Sequence, residues 1–376
     1  MLQLFRKRQP SVIGFEFGAC SLRAAQLVQK QDGWHLYHWI NVEVDPASAD
    51  APPLDHAPHV ANVLGPATFS GRRAAIALSP PDVEYRLLEV PSALLSMCPA
   101  ELRGALQIEL DRQMPWPASE SEVALWPTRP TTGNTINTMV VAARSAGVHQ
   151  LVAHFPQRRC ECVRADIVPN ALIRLCGAEN AGSISSGREL WGILDIGFRS
   201  CRLYLIHDGR PVFARVLRGG GRELTETLAR ALHVDFSIAE QYKRLYGVQQ
   251  SDRGVRTFVG GLGRISEQDL PGVLYAILAR TFETLVADIE RSYRFVLDRH
   301  DVSSAAGLCL VGGGSRLKGL DGILAQQLGI PVRHPQAANV LRNARGPDGS
   351  EHPGCSRANF PVLATCIGLA LGEEPA

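Results

Sequence analysis

Two short stretches place a carboxylate two residues ahead of a glycine at the end of an apolar run. Residues 13–23 read Ile-Gly-Phe-Glu-Phe-Gly-Ala-Cys-Ser-Leu-Arg, and residues 193–203 read Ile-Leu-Asp-Ile-Gly-Phe-Arg-Ser-Cys-Arg-Leu. Aligned on the acid, Glu16 matches Asp195, Gly18 matches Gly197, Ser21 matches Ser200 and Arg23 matches Arg202. Glycine lets backbone N–H groups come close to phosphate oxygens, and an acid just before it can hold a Mg²⁺-bound water. The segments after the two acids also correspond. The strand-like Leu22–Gln29, a turn at Asp32-Gly33 and Trp34–Val44 parallel Cys201–His207, Asp208-Gly209 and Pro211–Leu217. Asp-Gly between two apolar runs is a strong hairpin signal. One copy reads as an ordinary hairpin with an acid at a strand end. Two matched copies favour a duplicated phosphate-binding turn.

Further along, Gly219-Gly220-Gly221 precedes a helical pattern over Arg222–Leu232, with Leu224, Leu228 and Leu232 at fourfold spacing. A second helix is expected to start in a capping box between Ser237 and Glu240 and to stop at Gly247. On it, Glu240 and Lys243 share a face, and as a solvated ion pair they would contribute only tenths of a kcal/mol. Leu274–Leu297 has the apolar stripe of a long amphipathic helix. A buried strand, Gly307–Val311, then runs into the turn Gly312-Gly313-Gly314-Ser315, followed by a helix over Gly319–Leu328. A glycine-rich turn between strand and helix suits a nucleotide, although neither a GxGxxG fingerprint nor a P-loop is present.

Taken in order, the two acid-x-Gly turns, the Ala-Glu-x-x-Lys helix and the Gly-Gly-Gly turn resemble the actin-like ATPase superfamily over nearly the whole chain. Within it the chain looks like the PilM family of type IV pilus assembly. The Leu2–Pro10 leader, Glu101–Glu109 with Met114-Pro115-Trp116, Met139–Arg144 and the tail Asn359–Leu371 carry that choice over FtsA or MreB. The resemblance implies an α/β fold of two actin-like, ribonuclease H-like duplicated lobes, with a small α/β insert in the first. The expected boundaries are a leader over 1–10, lobe 1 over 11–185 with the insert at about 88–165, and lobe 2 over 186–376 with a final helix near 359–371.

It further implies ATP and Mg²⁺ between the two acid-x-Gly turns. Phosphate would be held by Glu16, Gly18, Ala19, Cys20 and Ser21 and by Asp195, Gly197, Arg199 and Ser200. Glu240 with Lys243 and the loop Gly312, Gly313, Gly314 and Ser315 would hold the nucleoside, Gly220 and Arg244 would join the cofactor site, and Glu16 and Asp195 would reach the metal through water. Glu240 and Lys243 acting on ribose and base would make their replacement weaken ATP binding while sparing the melting temperature. Two departures point to binding without rapid turnover: Glu16 stands where most relatives carry Asp, and Phe198-Arg199-Ser200 where hydrolysing relatives show Gly-Gly-Thr.

The partner implied is the cytoplasmic N-terminal tail of a PilN-like inner-membrane protein, along with other pilus assembly proteins. A groove beside the insert, lined by some of Leu102, Leu106, Ile108, Met114 and Trp116, is the expected docking place, the same residues being equally suited to the insert's own core. Two alternatives remain open: a polymerising or division-type actin homologue, and a small-molecule kinase, for which residues 60–185 offer no evident base.

Composition sets the outer limits. At 376 residues, 45% hydrophobic and 20% charged, the chain is sized for two domains. A net charge of +2 from 39 basic and 37 acidic residues argues against a nucleic-acid binder. Nine scattered cysteines suit reduced thiols better than a disulfide framework or a zinc site. No apolar run reads as long enough to span a bilayer, and the basic start lacks a signal-peptide core. The expectation is a cytoplasmic protein, peripheral at the inner membrane through its partner. Pro46–Pro66 and Asn339–Ala358 read as surface loops.

Overall fold

The computed structural model describes residues 9–43, 64, 69–80, 82–130, 134–155, 160–179, 189–253, 256, 266–300, 302, 304–345 and 350–372. Most of the leader and nearly all of Pro46–Pro66 lie outside them. The chain forms two units: 1–187 with 206–214 and 336–376, and 188–205 with 215–335.

In the first unit, β1 (Gln9–Pro10), β2 (Ile13–Phe17), β3 (Ser21–Lys30), β4 (Gly33–Glu43), β5 (Arg73–Leu78) and β9 (Glu161–Ile167) make one sheet. β2, β5 and β9 run parallel, and β3 lies antiparallel to both β2 and β4. Between β5 and β9 comes the insert, a three-stranded antiparallel sheet β6-β8-β7 of β6 (Val83–Pro91), β7 (Ser121–Pro130) and β8 (Thr135–Arg144). Helix α1 (Pro99–Gln113) joins β6 to β7. The insert was expected to reach about 165, but β9 pairs with β5 in the main sheet.

The continuous apolar run Met139–Ala143 explains how the insert is held. On a strand, alternate side chains face opposite ways. Met139, Val141 and Ala143 accordingly join the main core with Phe15, Ile76 and Phe155. Val140 and Ala142 face α1 and meet Leu102, Leu106, Leu110 and Met114. A strand buried on both faces needs no polar alternation, and β8 has none. Helices α2 (Ser145–Ala153) and α3 (Val168–Glu179) follow β8 and β9.

The second sheet has the order β12-β11-β10-β13-β14, built from β10 (Leu190–Ile196), β11 (Cys201–His207), β12 (Arg210–Leu217), β13 (Ala305–Val311) and β14 (Val332–Arg333). That order repeats β4-β3-β2-β5-β9 of the first sheet, so the duplication read from the two acid turns is a duplication of whole sheets. Their hairpins differ in detail. Asp208 and Gly209 both have positive φ, 51° and 69°, as a type I′ turn requires. In the first copy Lys30 pairs with Gly33, so the turn is Gln31-Asp32 and the positive φ falls on Gly33.

Around this sheet lie α4 (Gly221–Leu232), α5 (Phe236–Tyr246), α6 (Leu270–His300) and α7 (Leu320–Leu328). By length and composition α6 could cross a membrane, contrary to the reading that no run is long enough. Its stripe of Leu274, Leu278, Phe282, Ile289 and Val296 is buried within the unit. Tyr293 donates to the carbonyl of Gly307 at 2.8 Å, and a Cβ on Gly192 would lie 2.2 Å from the same hydroxyl. It is the core helix of this unit.

Past β14 the chain enters the first unit, so the stretch expected to finish lobe 2 belongs with lobe 1. Asn339–Ala358, expected as an exposed loop, includes part of α8 (Ala337–Val340) and several anchored residues. Asn343 exchanges two hydrogen bonds with the Leu36 backbone, and Val340, Leu341, Ala344 and Cys355 are buried. The final helix, α9 (Ala364–Ala370), has all seven residues buried, and the carbonyl of its Cys366 passes so near β2 that a Cβ on Gly14 would lie 2.2 Å away.

Candidate nucleotide site

Each acid turn has the same internal geometry. Gly18 N–H donates to Ser21 O at 2.8 Å, and Gly197 N–H donates to Ser200 O at 3.0 Å. In both, the next strand folds straight back, which brings an arginine opposite the acid. Glu16 and Arg23 are register partners across β2 and β3, with Arg23 Nη1 3.2 Å from Glu16 Oε2. Arg202 Nη1 lies 2.8 Å from Asp195 Oδ2. Both acids are buried, at 8% and 3% exposure.

In the second unit two further glycine turns, Gly219–Gly221 and Gly312–Ser315, close on Asp195–Ser200. The carbonyls of Gly197 and Phe198 accept from the N–H groups of Gly221 and Arg222, at 2.9 and 2.8 Å, and so satisfy the start of α4. A Cβ on Gly220 would sit 2.5 Å from Arg199 C and Ser200 N. Gly312, with φ +84°, faces the acid: a Cβ there would lie 2.3 Å from Asp195 Oδ1. The hydroxyl of Ser315 donates to Gly312 O at 2.7 Å and closes the turn after β13.

Lys243 comes up from α5 into the same place. Its ammonium donates to Gly221 O at 2.9 Å and to Thr225 Oγ1 at 2.6 Å, and it pairs with Glu240 Oε2 at 2.5 Å. Glu240 also accepts from Thr225 Oγ1, and from Arg244 Nε at 2.7 Å. The expected capping box is therefore not formed. Asp235 is the N-cap of α5, and Glu240 turns to Lys243 instead. Burial works against ionised Glu240, but the Lys243 charge, with hydrogen bonds from Lys243, Thr225 and Arg244, holds its carboxyl below the usual glutamate value. Burial pushes the Lys243 ammonium down.

The pair is neither solvated nor free for a ligand alone, since it ties α5 to the first turn of α4. The expectation that its loss would spare the apo melting temperature is revised accordingly. Lys243→Met should destabilise the protein by about 2 to 3 kcal/mol, and Glu240→Gln with Lys243→Met by less than the two singles added. Urea unfolding of the three variants checks this; single losses under about 0.5 kcal/mol would return the pair to a solvated role. The sign with pH is set by Glu240. Its contribution is complete above the ordinary glutamate value and is lost as the pH falls through the depressed one.

Of the expected nucleotide residues, the second unit brings together Asp195, Gly197, Arg199, Ser200, Gly220, Glu240, Lys243, Gly312, Gly314 and Ser315. Arg244 is on the outer side of Glu240, its side chain 61% exposed. Glu16, Gly18, Ala19, Cys20 and Ser21 form the matching turn of the first unit. The sequence reading left out Arg23, Arg202 and Thr225, although the arginines recur at matched positions of the repeat. Leu102 and Leu106 are in the insert's own core, so neither lines a groove. Trp116 is half-buried, its indole N–H donating to Ser121 Oγ at 2.8 Å.

The donor set fits nucleotide phosphate: closed glycine turns, a serine in each and an arginine beside each. Arg23 Nε is buried with no hydrogen-bond partner, a cationic donor that an anionic oxygen would satisfy. The same residues do not fit Mg²⁺. Glu16 and Asp195 were expected to reach it through water, but each faces an arginine directly across the hairpin.

A structure of a PilM-PilN type IV pilus biogenesis complex matches with a TM-score of 0.73 at 24% identity, over 97% of this chain and 98% of that one. The ethanolamine utilization protein EutJ from Carboxydothermus hydrogenoformans is 16% identical over 97% of this chain and 90% of its own, with a TM-score of 0.46. MreB5 of Spiroplasma citri bound to AMPPNP is 13% identical over 96% and 97%, with a TM-score of 0.42. The fold is actin-like. A family model for the cell division protein FtsA matches residues 192–368. The model of the type IV pilus assembly protein PilM matches residues 14–252, which include both acid turns, Glu240 and Lys243. The chain belongs to the PilM family of type IV pilus assembly proteins.

Proposed function

We propose that the protein is an ATP-binding scaffold of type IV pilus assembly that holds the cytoplasmic N-terminal tail of a PilN-like inner-membrane protein. It would be peripheral at that membrane through its partner. Membership of the PilM family carries the reading, and the PilN bound to the structurally similar PilM supports the choice of partner. In the second unit, ATP phosphate would meet the closed turn at Gly197–Ser200, with the nucleoside toward Glu240, Lys243 and Gly312–Ser315; the turn at Gly18–Ser21 of the first unit is built the same way. Slow or absent hydrolysis is the companion proposal, because Phe198 stands where a small residue would let backbone approach a γ-phosphate. Phe198 is wedged edge-on against Phe236, ring centroids 6.4 Å apart.

The test is a fluorescence titration of the PilN-like tail peptide, with a dissociation constant in the micromolar range expected, about 8 kcal/mol. A binding isotherm still linear at about 1 mM would overturn the reading. Because β8 of the insert is part of the main core, the site is located by a point change on an exposed face of the insert. Ile108, 78% exposed on α1, is the apolar residue to change. Loss of affinity in Ile108→Glu would put the tail on the insert, and undiminished affinity would move it elsewhere.

A further inference from the structure

We propose that this chain takes nucleotide phosphate without a divalent cation, the arginine of each acid turn, Arg23 in the first unit and Arg202 in the second, supplying at its own turn the positive charge that Mg²⁺ would otherwise bring. The inference rests on the nucleotide reading above and deepens it.

The same pair occurs twice, once in each unit and from separate sequences. Glu16 with Arg23 and Asp195 with Arg202 are each seven residues apart and joined across a hairpin, at 3.2 and 2.8 Å. The hairpin fixes this geometry: an acid at the end of one strand faces the second or third residue of the next. Mg²⁺ gives up its water reluctantly, and in nucleotide sites is held by one or two carboxylates together with phosphate oxygens. Here each carboxylate already faces a guanidinium of its own unit, and a dication brought to either would sit beside a fixed positive charge.

A guanidinium is suited to the alternative. Its planar fork of five donors can hold a carboxylate on one side and phosphate oxygens on another. The acid then keeps the arginine in place rather than binding the ligand. Arg23 and Arg202 remain 13% and 20% exposed, more than their acids. Arg23 Nε, buried without a partner, leaves one donor of that fork unused.

The experiment is calorimetric titration of the full chain with ATP, in excess Mg²⁺ and again in EDTA, at equal ionic strength. Dissociation constants within about fivefold of each other are expected. Binding that weakens by more than that in EDTA overturns the inference but leaves the nucleotide reading standing. Failure to bind under either condition overturns both. Arg202→Gln gives the converse arm: with Asp195 released, affinity in EDTA should fall at least tenfold and Mg²⁺ should restore part of it. If that variant does not fold, the wild-type comparison decides alone.

Discussion

Gly368→Ala should unfold the first unit at markedly lower denaturant, with a loss of about 3 kcal/mol, a large share of ordinary domain stability. On α9, Gly368 lies so close to α3 that a Cβ would meet the carbonyl oxygen of Ala171 at 1.9 Å and its carbon at 2.5 Å. Backbone cannot give way as a flexible side chain can, so the two helices must separate. Because α9 also covers β2, which leads into the Glu16 turn, separation exposes buried side chains on both sides. The comparison variant is Gly322→Ala on α7, where a Cβ would meet nothing within 4 Å. There the change should be neutral or stabilising by up to about 1 kcal/mol, the usual helix preference for alanine. Equal urea midpoints for the two variants would rule out the close α9–α3 contact.

Both glycines look alike in sequence, which marks what sequence alone can convey. Periodicity was readable wherever one face meets a core. The α6 stripe, β11 and the α4 and α5 segments appear within a few residues of their expected positions. The acid-turn repeat held enough information to foresee a duplicated three-strand unit, whereas the duplicated order of the whole sheets, with β5 and β9 matching β13 and β14, is seen only in the structure. Features decided by partners distant in sequence were not readable. The return of 336–372 to the first unit depends on α9 filling a space against β2 and α3, and no local pattern encodes that space. Leu102 and Leu106 read equally well as groove or core, and the alternation of Val140 and Ala142 on β8 decides for core.

The glycine-rich turns show the same limit within the candidate site. In the sequence, glycine at 220, 312 and 314 suggested room for a ligand's phosphates. In the structure these positions are glycine because backbone and side chains of the Asp195–Ser200 loop already come within 2.3 to 2.5 Å of where each Cβ would be. Glu240 and Lys243 were likewise found as a pair on one helix face, but their third partner, Thr225, belongs to another helix. Arg23 and Arg202 were visible as matched letters of the repeat. Only the hairpin register shows that each neutralises the acid beside it.

Gly312→Ala is therefore the substitution that should disturb the site most. Two effects add. At φ +84° and ψ 173°, a region essentially reserved for glycine, an alanine is strained by about 1 to 3 kcal/mol. Its methyl would also lie 2.3 Å from Asp195 Oδ1 and 2.8 Å from Ile196 O, so the acid must swing away from Arg202 or the turn after β13 must lift. Either movement disrupts the setting of Gly197–Ser200. ATP affinity should fall at least tenfold, about 1.4 kcal/mol, and the apo protein should unfold at lower urea. The two readouts separate the causes. Lower stability with unchanged affinity would leave the loop a structural clasp and remove it from the nucleotide site. If both stay at wild-type values, Gly312 does not make the close contact with Asp195 on which the geometry of this site depends.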